Sequence, residues 1–208
     1  MQALESRAEL FAARNDAEHE YWQGSAEARR HIRELLLFRV RQPTPLLFAA
    51  HERLDFADFV RVLKLVSVLS FRYTVVSGLN TNALEPVYHQ AANALLTGQI
   101  HRPSEVFQRL QGIYVEDSSF ISDFARLDIA TAGQRKRLVK YVLCQLEADA
   151  TGVHRDYETD AGTIEHILPE NPLGDWSESF DAQRQERFVY RLGNLTLLEA
   201  SLNRQVGN

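Results

Sequence analysis

Along the first three-quarters of the chain, apolar residues recur at helical intervals. Ile32, Leu35, Leu36 and Val40 step by three and four, which predicts a helix over 26–40. Gly24-Ser25 separates it from a first segment, Ala3 to Tyr21, rich in Ala, Glu and Arg and read as helix. Pro43-Thr44-Pro45 punctuates, and 46–51 begins another short helix. Asp55 fits the N-cap of the strongest helix, Phe56 to about Tyr73. Its apolar face carries Phe56, Phe59, Val60, Leu63, Val66 and Leu69, widened by Val62, Leu65 and Val68, as expected of a core helix. Further helices are predicted from Asn82 or Thr81 through Leu96, from Pro103, over 120–127 and over 134–148.

The texture changes after Ala150. Residues 151–162 are polar and acidic and read as a linker or loop. Two short β-like segments follow, 162–168 and 190–196, with a short helical pattern through Phe180 and Phe188 between them. Thr196-Leu197-Leu198-Glu199 matches a capping box opening a last helix, on which Leu198, Leu202 and Val206 form a buried stripe with Asn203 beside it. The expected fold is mainly α. An all-helical domain spans 1–155, followed over 156–208 by a partial unit in ββα order, with a long insertion in its hairpin.

Composition narrows the function classes. The 208 residues are 45% hydrophobic and 25% charged, ordinary for a soluble globular chain. No apolar run nears the roughly 20 residues that span a bilayer, and the charged start, MQALESRAELFAARNDAEHE, lacks a signal core. A cytoplasmic location and no membrane partner are expected. The single cysteine, Cys144, excludes an internal disulfide or a cysteine-built metal cluster and reads as a buried thiol. A net charge of -5 argues against non-specific DNA binding, which rests on neutralised phosphates. A nucleic-acid role must therefore rest on a local site or on parts outside this chain. No glycine-rich phosphate loop is present. His19, His31, His51, His89, His101 and His154 lack partners at useful spacing and read as structural.

The candidate chemistry lies near the C-terminal end. Cleaving a phosphodiester needs a base for the attacking water and a cation for developing charge. An imidazole is the natural base near neutral pH, and Mg²⁺ takes a few hard oxygen ligands beside its waters. Glu165, His166 and Asn203 supply that minimum. Neighbours on a strand point to opposite faces, so Glu165 and His166 converge only where the strand bends, and Pro169 makes an early end plausible. Trp176 reads as a core plug more readily than as a base-stacking platform. Arg184, Arg187 and Arg191 share a helix side that is either solvated or set against phosphate.

The run T-I-E-H-I-L-P-E-N-P, the following Trp176, then R-L-G-N-L-T-L-L and a downstream Asn resemble the HNH (His-Me finger) nuclease domain of GmrSD-type restriction endonucleases. They are also similar, more distantly, to the HNH domain of the RNA-guided CRISPR nuclease, which shares the nine-residue interval between Asn194 and Asn203. The resemblance extends loosely back to about residue 30 through RQPTPLLFAA and FRYTVVSGLNTNAL. It implies Glu165 and Asn203 as ligands of Mg²⁺ or Mn²⁺, His166 as general base, and Asn194 orienting that His or the loop around it. It further implies an endonuclease acting on DNA, foreign or modified, in restriction and phage defence. Such relatives carry a further N-terminal domain and continue past the second Asn. The chain thus reads as a truncated part, inactive in isolation, whose partners include those missing segments. Position 170 is Glu where relatives often have Gln. Residues 163–208 hold seven acids against four arginines, a poor balance for holding DNA unaided. Two rival readings remain: a non-catalytic helical interaction module with a vestigial nuclease edge, and a nuclease directed at RNA.

Overall fold

The computed structural model describes the backbone of residues 2–172 and 174–206; the side chains of 2–4, 177, 205 and 206 lie outside the described residues. The chain divides into two compact units, 1–121 and 122–208. The change of texture near 155 falls inside the second unit, just past the end of its long helix.

The first unit is helical: α1 Gln2–Arg14, α2 Ala26–Phe38, α3 Thr44–Arg53, α4 Phe56–Ser70, α5 Leu84–Leu96 and α6 Pro103–Leu110. α1 stops at Arg14, well short of Tyr21, and the chain turns through a single 3₁₀ turn, Glu20–Trp22, that plants Trp22 in the core. Ser25 caps α2 by accepting from the Ala28 amide. Asp55 caps α4 by accepting from the Asp58 amide at 2.8 Å, as its position before an apolar run predicts. Beyond Ser70 the helix widens into a π-helical stretch, Phe71–Val76, closed by Gly78 in the left-handed region at φ +57°. Phe59, Leu63, Leu69, Leu46, Tyr88 and Leu95 form the centre of the core. α2 packs on α4, and α3 on α5.

One polar group crosses that core. Glu34 on α2 accepts from Ser67 Oγ of α4 at 2.6 Å and lies 2.8 Å from His31 Nδ1. Burial alone would raise the Glu34 carboxyl; the bonds from His31 and Ser67, with the charges of His31 and Arg30, outweigh it and hold the group below its ordinary value. Other histidines also serve structure. His19 caps the 3₁₀ turn by accepting from the Tyr21 amide, and the Tyr21 hydroxyl meets His51.

A helix, α7 Asp117–Phe124, carries the chain across the division. In the second unit, α8 Arg135–Thr151 packs on a two-stranded antiparallel sheet, β1 Thr163–His166 and β2 Leu195–Leu198. Val139, Val142 and Cys144 of α8 are buried, and burial, the largest cause, pushes the Cys144 thiol up. The acidic stretch before β1 is fastened to α8. Lys140 donates to the Asp160 carbonyl, Arg155 pairs with Glu147 and Asp160, and Arg137 pairs with Glu158. Gly162 donates to Asp160 Oδ1 at 2.7 Å, and a side chain there would collide with that oxygen at 2.6 Å. A small residue therefore opens β1. Between the strands the insertion holds α9 Asp175–Ser179, α10 Ala182–Phe188 and a 3₁₀ turn, Leu192–Asn194. Its end is tied to the start of the unit: Ile129 donates to the Tyr190 carbonyl and Leu192 to the Leu127 carbonyl. The last helix, α11 Ala200–Val206, packs on β1.

The capping box expected at Thr196-Glu199 does not form. Thr196 is a strand residue paired with Glu165, so sheet pairing overrides the local signal and the helix begins at Ala200. The stripe expected of Leu198, Leu202 and Val206 fails with it. Leu198 belongs to β2, Leu202 is 45% exposed, and the Val206 side chain lies outside the described residues.

Candidate active site

The hairpin register sets Thr163 opposite Leu198, Ile164 opposite Leu197, Glu165 opposite Thr196 and His166 opposite Leu195. Alternation then gives Thr163 and Glu165 one face of β1, and Ile164 and His166 the other. His166 is the last paired residue. Beyond it the Ile167 amide donates to the Asn194 carbonyl at 2.9 Å, and the chain turns away toward Pro169.

Asn194 holds that turn. Its Oδ1 accepts from the Leu168 amide at 2.7 Å, while Nδ2 donates to the Leu168 carbonyl at 3.0 Å and the Val189 carbonyl at 2.9 Å. Because Oδ1 faces a donor and Nδ2 faces acceptors, only one orientation of the amide fits. The side chain thus clamps both ends of the insertion, two residues past His166. Its polar atoms are spent on backbone, which makes Asn194 a positioning residue.

Asn203 returns from α11 to β1. Its Nδ2 donates to Thr163 Oγ1 at 2.8 Å and approaches the Ile164 carbonyl at 3.4 Å. Thr163 Oγ1 in turn donates to the Leu198 carbonyl at 3.2 Å, so one hydroxyl links α11 to both strands. Thr163 shares its face with Glu165, so Asn203 and Glu165 come to the same side of β1. With its two amide hydrogens directed at β1, Asn203 has Oδ1 as the atom a cation would use.

His166 stands on the other face. Its side chain is 10% exposed; Nε2 lies 3.4 Å from Thr131 Oγ1 and 3.7 Å from Glu170 Oε1. Tyr190 meets the ring edge to face, with centroids 5.8 Å apart. The hydrogen bond to Glu170, and then that carboxylate's charge, raise the Tyr190 phenol above its ordinary value. Thr131, Glu170 and Tyr190 therefore frame the imidazole. Of these, Glu170 stood in the quoted motif, while Thr131 lies 35 residues upstream with no local signal tying it to the site.

Among the described residues, no group of three or more His, Cys, Asp and Glu side chains gathers as a metal cluster would. The set of Glu165 and Asn203 is one carboxylate and one amide oxygen. That donor chemistry suits a hard cation that keeps most of its own waters.

A hairpin whose first strand ends on an acid-His pair, and whose following helix returns an amide to that strand, defines a ββα unit. Residues 114–208 match the family model described as GmrSD restriction endonucleases, C-terminal domain. Over this segment, a little under half of its length, the chain is similar to the GmrSD-type restriction endonucleases. No curated protein matches it. The match begins at 114 and ends with the chain, so it covers the whole second unit.

Proposed function

We infer that the second unit is an HNH-type, metal-dependent DNA endonuclease centre that hydrolyses phosphodiesters. The observation that carries this reading is the pairing of β1 with β2. It brings Asn203 to the face of Glu165 while Asn194 fixes the turn leaving His166. Glu165 and Asn203 Oδ1 would hold Mg²⁺ or Mn²⁺, which when bound supplies charge stabilisation at the phosphate and the departing oxygen. His166, the terminal residue of its strand, accepts a proton from the attacking water. The water oxygen bonds to phosphorus as the P–O3′ bond breaks, and the leaving oxygen takes a proton from solvent. Thr131 and Glu170, both near Nε2, hold the ring. Working across the end of β1, rather than on one face, answers the alternation that separates Glu165 from His166.

The match of residues 114–208 to a restriction-endonuclease family model supports DNA as substrate and defence against foreign or modified DNA as role. The test is nicking of supercoiled plasmid with Mg²⁺ by the full-length protein. Activity disappears with a chelator and in His166→Ala, whose circular dichroism matches the parent. Retained cleavage by a folded His166→Ala protein removes His166 as the base.

A further inference from the structure

An open cleft of about 680 Å³, within the size range of small-ligand sites, lies between the hairpin insertion and residues 125–126. Its apolar wall is aromatic. Trp176 and Phe180 pack at 5.8 Å and 48°, and Phe180 and Phe188 at 6.5 Å and 84°. Trp176 and Phe188 are each 39% exposed, so these rings are not the core plug expected of Trp176. Arg126, Arg187 and Arg191 line the same cavity. Arg191 lies 3.3 Å from Asp128 and donates to the Arg187 carbonyl, and the more exposed Arg126 lies 3.5 Å from Asp123 and donates to the Ser122 carbonyl and hydroxyl; ion pairs open to solvent on at least one side are of small energy, and a phosphate can compete with them. The Arg187 guanidinium sits over the Phe188 ring at 5.4 Å. Leu168 and Asn194, which form the clamp beside His166, also line the cavity.

We propose that this aromatic and arginine cavity receives one unstacked base of the DNA strand being cut, with the arginines on its flanking phosphates. An apolar peptide would bring no negative charge to the three guanidinium groups, whereas a nucleotide in a strand offers a π-face to the rings and charge to the arginines. The shared clamp sets the occupant beside the hydrolytic centre, and a base held there would fix which phosphate meets His166. The proposal rests on the nuclease reading of that centre, but its test needs no cleavage.

The full chain carrying His166→Ala is titrated in EDTA and low salt. The ligands are a twelve-nucleotide thymidine strand, a paired duplex, and the same duplex with one extra unpaired thymine. Tryptophan emission and anisotropy of the labelled DNA are read together. Trp22 is fully buried and gives a constant background, so quenching reports Trp176. The single strand and the bulged duplex should quench more than the paired duplex, and Trp176→Phe should remove the effect. Phe180→Leu with Phe188→Leu should weaken single-strand binding by roughly 5- to 100-fold. Arg187→Ala should weaken all three ligands alike and flatten the salt dependence by about one ion; it keeps the test open if the double aromatic variant fails to fold. Saturated anisotropy without quenching, or no binding of any strand, overturns the proposal. So does equal quenching by thymidine monophosphate alone, or quenching that follows protein concentration without DNA, as a second copy would cause. None of these outcomes depends on whether His166 is the base, so the two readings fail separately.

Discussion

Removing the Asn194 side chain tests how the hairpin is held. Asn194→Ala deletes three hydrogen bonds at once and leaves the Leu168 amide, the Leu168 carbonyl and the Val189 carbonyl to find partners. Leu168 is 3% exposed and Val189 4%, so water does not readily replace the lost amide. At roughly 1 kcal/mol per bond, with a further desolvation cost for groups left bare, the loss is about 3–4 kcal/mol. For a unit of this size that corresponds to a fall in Tm on the order of 12–30 °C. Asn194→Asp sharpens the test. It keeps the acceptor for the Leu168 amide but places a carboxylate oxygen against two carbonyl oxygens, so near pH 7 it should be at least as damaging as alanine. The repulsion raises the folded-state pKa of the new carboxyl. Protonated, it can donate one bond, so stability relative to the alanine variant should rise as pH falls through that raised value. The gain should be complete below the ordinary aspartate value, about 3.9. Thermal unfolding by circular dichroism and hydrogen exchange at the Ile167 and Leu168 amides measure both effects. A Tm change under about 2 °C for Asn194→Ala would refute the clamp.

Thr163→Val removes the hydroxyl that accepts from Asn203 and donates to the Leu198 carbonyl, while keeping the β-branched shape of β1. If Asn203 is a ligand, calorimetry should show Mg²⁺ or Mn²⁺ bound about 10- to 100-fold more weakly, with far-ultraviolet dichroism little changed; unchanged affinity would separate Asn203 from the metal. In the first unit, the lowered Glu34 carboxyl contributes stability that is full above its ordinary value of 4.5 and is lost as pH falls through the depressed folded value. Acid unfolding of Glu34→Gln should therefore be less steep than that of the parent below pH 4.5. Parallel curves would show that the His31-Glu34-Ser67 group adds nothing.

What could be read in the sequence divides along one physical line. Local chemistry was legible: the Asp55 cap, the apolar stripe of α4, the proline opening α6 and the short helix that ends at Phe188 all follow from residues within a turn of one another, although Phe180, expected on that helix, is extended between α9 and α10. Long-range pairing was not. Thr196-Glu199 has the residues of a capping box, yet pairing with Thr163–His166 claims 195–198 for a strand and delays α11 to Ala200. Asn203 still reaches β1, since it needs only its position about one turn into whatever helix follows β2. Thr131 beside His166 was invisible, and Thr163 stood in the quoted motif without a role, because a threonine's partners appear only when the fold gives it neighbours.

The same line explains how a two-stranded sheet can carry a site. A hairpin of four-residue strands is at best marginal alone in water, so its geometry must be imposed from outside. Here α8 packs on both strands, the Asp160 loop fixes the entry to β1, and Asn194 and Thr163 spend their polar atoms on backbone and on Asn203. Support thereby falls largely to residues other than Glu165 and His166, while Asn203 serves both, tying α11 to β1 through Nδ2 and leaving Oδ1 for a ligand. Substitutions in the frame should therefore act on stability and metal affinity together, whereas His166→Ala should leave metal affinity unchanged. That difference makes the two kinds of residue separable by experiment.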